Sequence, residues 1–163
     1  MLLAAVDVCN TLADILSEVQ KYIGPWPFYE YRHPLLTDDF FIDHPEIFLN
    51  AKPYEGAVQG LWRLKEYFNI VYLSARPEWA WVITDLWLKV HGFPSGRLIL
   101  TGEKADMAKQ LNVAMAVEDA PFEIEKYERV GIPVVVKAQN YNKDYAPRFE
   151  WSAFPEGRAV SGW

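Results

Sequence analysis

The sequence predicts an α/β fold, a doubly wound parallel sheet, from three observations. Short apolar runs of strand length alternate with helix-spaced stretches from residue 2 to residue 137. The first run, Leu2-Leu3-Ala4-Ala5-Val6, carries no polar residue, as suits a central strand buried on both faces. Several runs then end on a polar or charged residue, Asp7 first among them, and open α/β sheets hold their chemistry outside the carboxyl ends of the strands. At 163 residues and 51% apolar content, the chain is large enough for one domain with a real core and room for a small insertion.

The elements follow in order. After Asp7, Asn10-Thr11 supplies turn chemistry, since Asn tolerates left-handed backbone and Thr can bond the loop. Leu12, Ile15, Leu16 and Val19 form a helical stripe to about Lys21, which Gly24-Pro25-Trp26-Pro27 breaks. Residues 28–50 have poor periodicity but many rings, with short helical pieces at 38–41 and 45–49. We read 13–50 as a small insertion beside the main sheet rather than a separate domain. Ala57, Val58, Leu61, Leu64 and Phe68 then give a helix face, and Ile70-Val71-Tyr72-Leu73 the next strand. Pro77 to His91 is a Trp-rich helix closed by Gly92. The strand 97–100, a helix from Glu103 to about Leu111, the strand 113–117, a helix 122–130 and the strand 133–136 complete the alternation. Right-handed crossovers and a sheet covered on both sides are implied. Beyond Lys137 the pattern stops, and residues 138–163 are expected to form an irregular tail whose rings pack on the body.

Composition excludes several function classes. A net charge of −6 argues against a nucleic acid polymer as partner, because phosphate-backbone binding needs a basic face. It leaves room for a small phosphate ester held by a metal and one or two cations. One cysteine precludes an internal disulfide and points to a reducing, cytoplasmic location. No stretch approaches the ~20 apolar residues of a membrane span, and Asp7 ends the first run too early for a signal sequence. Aromatic content is 15%, with seven Trp, and several rings are expected to line a pocket or lid.

Four places at strand ends carry the candidate chemistry. Asp7 ends the first strand, where the plain alternative is a strand cap. At Ser74-Ala75-Arg76, a hydroxyl and backbone N–H groups at a strand-to-helix turn suit a phosphate oxygen, although Ser74 also reads as a helix N-cap. Lys104 opens a helix, where the dipole disfavours a cation. It either faces an anion or is a solvated surface lysine, and we expect it to be solvent-reachable. Glu118-Asp119 sets two acids side by side at a strand end, which a bound cation would resolve; the alternative is that they serve the next helix's N-terminus.

Asp7-Val8-Cys9-Asn10-Thr11-Leu12 resembles motif I of the haloacid-dehalogenase-like (HAD) phosphohydrolases, and the other three places resemble motifs II to IV in order. The resemblance implies a HAD-like fold with a small helical cap inserted after motif I. It implies Asp7 as nucleophile and Mg²⁺ ligand, Cys9 as a Mg²⁺ ligand through its carbonyl, Ser74, Ala75 and Lys104 as phosphate-binding, and Glu118 and Asp119 completing the metal site. Asn10 stands where the family has Gly, a mild change since both reach positive φ. Cys9 stands where the family has its second Asp, the general acid/base, and cysteine cannot reproduce a carboxylic acid there. His33 and His44 are the nearby substitutes to consider. Cysteine-phosphatase chemistry is unsupported, because no Arg follows within residues 10–17.

A narrower resemblance, carried by the insertion, by residues 48–57, by Tyr72-Leu73-Ser74-Ala75-Arg76 and by the stretch from Val134 to Asn142, points to the 5'(3')-deoxyribonucleotidase branch. It implies a small phosphorylated substrate, a nucleoside monophosphate, with Phe28, Phe40, Phe41 and Phe48 as cap rings. Those rings could equally be the insertion's own core. The alternative function is a HAD-fold protein that binds a phosphorylated ligand but turns over poorly because of Cys9.

Overall fold

The computed structural model describes residues 1–25 and 33–154. Six parallel strands form one sheet: β1 (Leu2–Val6), β2 (Phe68–Ser74), β3 (Arg97–Leu100), β4 (Val113–Glu118), β5 (Val134–Lys137) and β6 (Arg148–Phe149), in the order β3-β2-β1-β4-β5-β6. Helices α1 (Ile15–Ile23), α2 (Asp38–Asp43), α3 (Glu46–Asn50), α4 (Ala57–Lys65), α5 (Trp81–Val90), α6 (Lys104–Gln110) and α7 (Pro121–Arg129) connect them.

Period-two alternation divides the sheet between two cores. Ala4 and Val6 of β1, Ile70 and Tyr72 of β2, Met115 and Val117 of β4 and Val135 of β5 face one layer, with α1, α3, α4 and α5. Ala5, Val71, Leu73, Ala116, Val134 and Val136 face the other, with Ala105 and Ala108 of α6 and Ile124 and Tyr127 of α7. Strands clad on both faces have no solvent side to mark with polar residues, hence their continuous apolar runs.

Helix entry and exit follow local chemistry. Asp14 caps α1 by accepting from Ser17 N, and Thr37 caps α2 by accepting from Phe40 N. Pro121 opens α7, where its missing N–H costs nothing. The Trp-rich helix begins later than the spacing suggests: Pro77 precedes one 3₁₀ turn (Glu78–Ala80), and α5 starts at Trp81. In the insertion, Ile15, Leu16 and Val19 of α1 and Ile47 and Phe48 of α3 pack into the main core, while α2 has no buried residue.

The segment after Lys137 differs from the irregular course its spacing suggests. Arg148–Phe149 pairs parallel with β5, and a two-residue strand is too short to leave a period in the sequence. Trp151 and Phe154 are buried against Phe149, and Trp151 packs over Gly60 of α4, where an added Cβ would lie 2.5 Å from the indole. The tail also ties down the loop after β1: Gln139 Nε2 donates to Asn10 O (2.7 Å) and Trp151 Nε1 to Thr11 O (2.7 Å).

β1 and β4 lie side by side at the centre. From β1 the chain winds outward to β2 and β3, and from β4 the other way to β5 and β6. The carboxyl ends of β1 and β4 therefore flank the topological switch point, where such sheets open a crevice. Among the described residues no helix is long and apolar enough to cross a membrane.

Candidate active site

Four charged side chains converge at that crevice. Asp7 leaves β1 with its N–H donating to Val117 O of β4 (3.0 Å), which fixes its backbone against the neighbouring strand. Glu118 ends β4, Asp119 follows it, and Lys104 opens α6. Asp7, Glu118 and Asp119 are buried and bring one carboxylate oxygen each within 4.8 Å of one another. Lys104 Nζ donates to Asp7 Oδ1 (3.0 Å) and to Glu118 Oε2 (2.5 Å).

Hydrogen bonds hold each carboxylate in place. Glu118 Oε1 accepts from the N–H groups of Asp119 (3.1 Å) and Ala120 (3.2 Å). Asp119 Oδ1 accepts from Thr11 Oγ1 (2.8 Å), its Oδ2 accepts from Tyr141 Oη, and its carbonyl accepts from Asn142 Nδ2 (2.8 Å). Burial and the charge of Asp7 push Asp119 up to about 7, against the hydrogen bonds of Tyr141 and Thr11. The same two causes hold Glu118 well above the usual carboxylate range. Burial alone would lower Lys104, but the charges of Asp7 and Glu118 outweigh it and keep the ammonium above its ordinary value. Three carboxyl groups thus share one ammonium in a buried site. That excess of negative charge suits a hard divalent cation on oxygen ligands, so the donor set fits Mg²⁺.

Above this cluster lies a cavity of about 450 Å³, within the usual range for small-molecule sites. Asp7, Cys9, Asn10, Ser74, Ala75 and Lys104 line it at the strand ends; His33, Leu36, Asp38, Phe41 and Phe48, with Ile15 and Val19 of α1, line it from residues 13–50. Phe41 and Phe48 stack at 5.2 Å and 11°. Asn10 has φ +60°, the left-handed conformation its side chain tolerates, and its Oδ1 accepts from Leu16 N (3.0 Å).

The chain superposes on solved structures whose folds share this architecture. CbbY from Rhodobacter sphaeroides, solved with phosphate, matches at TM-score 0.63 and 15% identity, covering 98% of each chain. L-2-haloacid dehalogenase from Xanthobacter autotrophicus matches at TM-score 0.57 and 14% identity, over 83% of this chain and 77% of that one. A hydrolase of Streptococcus pneumoniae, described as a haloacid dehalogenase-like family protein, matches at 0.53 and 15%, over 83% and 84%. The fold is haloacid-dehalogenase-like. No family model matches the chain. A curated protein of Oceanobacillus iheyensis, described as "Putative nucleotidase", is 26% identical over 123 residues; the match takes in 69% of this chain and 65% of the relative's length.

On this HAD-like fold, Asp7, Cys9, Ser74, Ala75, Lys104, Glu118 and Asp119 all fall at the carboxyl side of the sheet. Lys104 overturns one expectation. It is 3% exposed rather than solvent-reachable, because Asp7 and Glu118 are the anions it faces and their charge compensates its burial. Ser74 is fully buried, and its Oγ accepts from Arg76 N (3.3 Å), a turn contact rather than the cap of a regular helix. Cys9 is partly exposed at the cavity floor, and burial pushes its thiol above the ordinary value although Arg76 pulls the other way.

The four cap rings separate. Phe41 and Phe48 line the cavity, whereas Phe40 packs edge-on against Phe41 (5.4 Å, 84°) and Tyr22 and is not among its lining residues. Phe28 lies outside the described residues. His33 borders the cavity, while His44 faces Glu46 (3.3 Å) and the rings of Tyr22 and Phe40.

Arg76, the last residue of the Ser74-Ala75-Arg76 turn, also lines the cavity, with a role that the turn's spacing does not assign. It is 5% exposed, with Nε donating to Cys9 Sγ (3.1 Å), Nη1 to Thr84 Oγ1 (3.0 Å) and its guanidinium 4.2 Å from the Phe48 ring centroid. Its position two residues past a strand end was the available signal.

Proposed function

We propose that this chain is a Mg²⁺-dependent phosphohydrolase that acts on a small phosphorylated substrate through an aspartyl-phosphate on Asp7. The observation that carries this reading is the Asp7–Lys104–Glu118–Asp119 cluster at the switch point, whose Asp7 and Lys104 line a cavity of small-molecule size. Asp7 is a fixed carboxylate at the floor of that cavity, available as nucleophile. Lys104 holds one Asp7 oxygen and sets its orientation. Ser74 and Ala75 line the cavity beside Asp7, where phosphate oxygens would lie, and the Lys104 charge would offset part of the negative charge there. Asp7, Glu118, Asp119 and the Cys9 carbonyl would hold Mg²⁺, which when bound would neutralise phosphate charge during transfer.

The substrate side is nucleotidase-like in this proposal, with a nucleoside monophosphate as the reference ligand. The description of the Oceanobacillus relative supports it, as does the Phe41–Phe48 stack, an apolar wall suited to a base. Residues 13–50 would act as the cap, since α2 and α3 supply that stack and α1 adds Ile15 and Val19 to the cavity lining. The net charge of −6 is in keeping with a small substrate rather than a nucleic acid polymer, and the lone cysteine is in keeping with a reducing, cytoplasmic setting.

The deciding experiment is turnover of phosphate esters by wild type and Asp7→Asn with Mg²⁺, together with acid-quench trapping of phosphorylated protein. Loss of both turnover and trapped phosphate in Asp7→Asn is the expected result; retained turnover overturns the mechanism. Cys9 favours a second reading, a phosphate-ligand binding protein without efficient turnover. Ligand and Mg²⁺ binding with no hydrolysis of even an activated aryl ester would select it.

A further inference from the structure

Three cationic side chains of the described residues are buried: Lys104, Lys137 and Arg76. Lys104 meets Asp7 and Glu118, and Lys137 meets Glu150 at 3.0 Å. Arg76 meets no carboxylate among the described residues. Its contacts are a thiol, a hydroxyl and the face of an aromatic ring, and its Nη2 is buried without any hydrogen-bond partner. A buried charge without a counter-ion is costly, and native chains pair such groups. Arg76 cannot escape by losing its proton, because guanidinium stays charged. It cannot swing to solvent either, since Cys9, Thr84 and Phe48 hold it on three sides. The missing counter-ion is therefore an anionic part of whatever occupies the cavity that Arg76 lines.

Its placement says which part. Arg76 lies between Cys9, at the floor, and Phe48 of α3, which belongs to the wall above. Lys104 is bound to Asp7 itself at the base of the cluster. A ligand with its phosphorus at Asp7 and its body along Phe41 and Phe48 sets the bridging oxygen and the next group beside Arg76.

We propose that Arg76 binds an anionic leaving group, so that the favoured substrate is a phosphoanhydride such as a nucleoside diphosphate rather than a sugar-phosphate monoester. This rests on the phosphohydrolase reading above. In the first step an Asp7 oxygen forms a bond to the terminal phosphorus, the bond from that phosphorus to the bridging oxygen breaks, and its electron pair stays on the bridging oxygen. In a monoester that oxygen becomes an alkoxide and needs a proton, which arginine does not give. In an anhydride it becomes a phosphate oxygen of the departing nucleoside monophosphate, stable as an anion and met by guanidinium N–H groups. The anhydride thus needs from the protein only what Arg76 has to offer.

The test compares ADP and AMP as substrates, with Mg²⁺, for wild type, Arg76→Met and Arg76→Lys, alongside calorimetric binding of inorganic pyrophosphate and inorganic phosphate to non-hydrolysing Asp7→Asn. The wild type is expected to prefer ADP, and Arg76→Met to lower kcat/KM for ADP about 100-fold and for AMP by less than about tenfold. In the Asp7→Asn background, Arg76→Met should weaken pyrophosphate binding about tenfold and leave phosphate binding near its starting value. Arg76→Lys keeps the charge and loses the planar fork, so it should fall between the two on ADP, and it carries the test should Arg76→Met fail to fold. Equal losses on ADP and AMP, or unchanged pyrophosphate affinity, make Arg76 a structural tie and overturn the proposal. ADP turnover that survives Asp7→Asn defeats the aspartyl-phosphate reading instead, a result separable from any effect at Arg76.

Discussion

Cys9 and Lys104 are the residues whose chemistry is most open to direct measurement. A positioned acid is worth ~10²–10⁴ in rate and matters most when the leaving group is poor. Cys9→Asp is therefore expected to raise hydrolysis of a nucleoside monophosphate by more than it raises that of an aryl phosphate, whose oxide leaves without help. Steady-state rates on both esters, with a burst measurement for phosphorylated enzyme, check this; equal nucleotide rates in the two proteins would show that another group supplies the proton. Lys104 joins two buried carboxylates, so removing it leaves both uncompensated. Lys104→Met should cost ~3–5 kcal/mol of stability without Mg²⁺, read from denaturant unfolding. A change below about 1 kcal/mol would mean the site tolerates the excess charge and the pair is not holding the sheet ends together.

At the level of elements, the contact between α4 and the tail is the tightest place to press. Gly60→Ala puts a Cβ 2.5 Å from the Trp151 ring, and overpacking of this kind costs roughly 1–3 kcal/mol. The loss should be accompanied by altered Trp fluorescence as the ring shifts, and helix propensity alone would predict a gain. The C-terminal end of α5 offers a pH test. Burial beside Trp87 (4.7 Å between ring centroids) holds the His91 imidazole below its ordinary 6.5. The unfolded chain then takes up the proton first as pH falls. His91 therefore contributes stability that is present above about 6.5 and lost as the solution is acidified through its lowered value. A His91→Gln variant should show a flatter stability profile between pH 7 and pH 5 than wild type.

Over the whole molecule, the sheet assembles a site from segments more than a hundred residues apart, and Mg²⁺ binding would test that assembly. Mg²⁺ titration by calorimetry should give much weaker binding in Asp119→Asn than in wild type; equal affinities would remove Asp119 from the site. The architecture was legible in the sequence because strands clad on both faces leave uninterrupted apolar runs, and because Asp7, Ser74 and Glu118 each punctuate such a run. The burial of Lys104 was not legible, since a lysine at a helix start reads alike whether it faces solvent or two carboxylates on other strands. The role of Arg76 was not legible for a related reason: a missing partner is a property of three-dimensional surroundings. Phe40 and Phe41 are neighbours in sequence yet only one lines the cavity, and a short helix with no buried residue offers no pattern by which to choose between them.

The tail's grip on the loop after β1 has a consequence for biosynthesis. Asn10 and Thr11 leave the ribosome well before Gln139 and Trp151, which bind their carbonyls across separations of 129 and 140 residues. Asn142 and Tyr141, on Asp119, are late as well. A nascent chain therefore holds Asp7 long before it holds the residues that set the loop around it, and contacts of such range close slowly. Translation halted after Lys137 would yield a five-stranded body with a loosely held Asp119 and an unanchored loop after β1. Competence at this site is thus deferred until the segment after Lys137 has been made and has folded back.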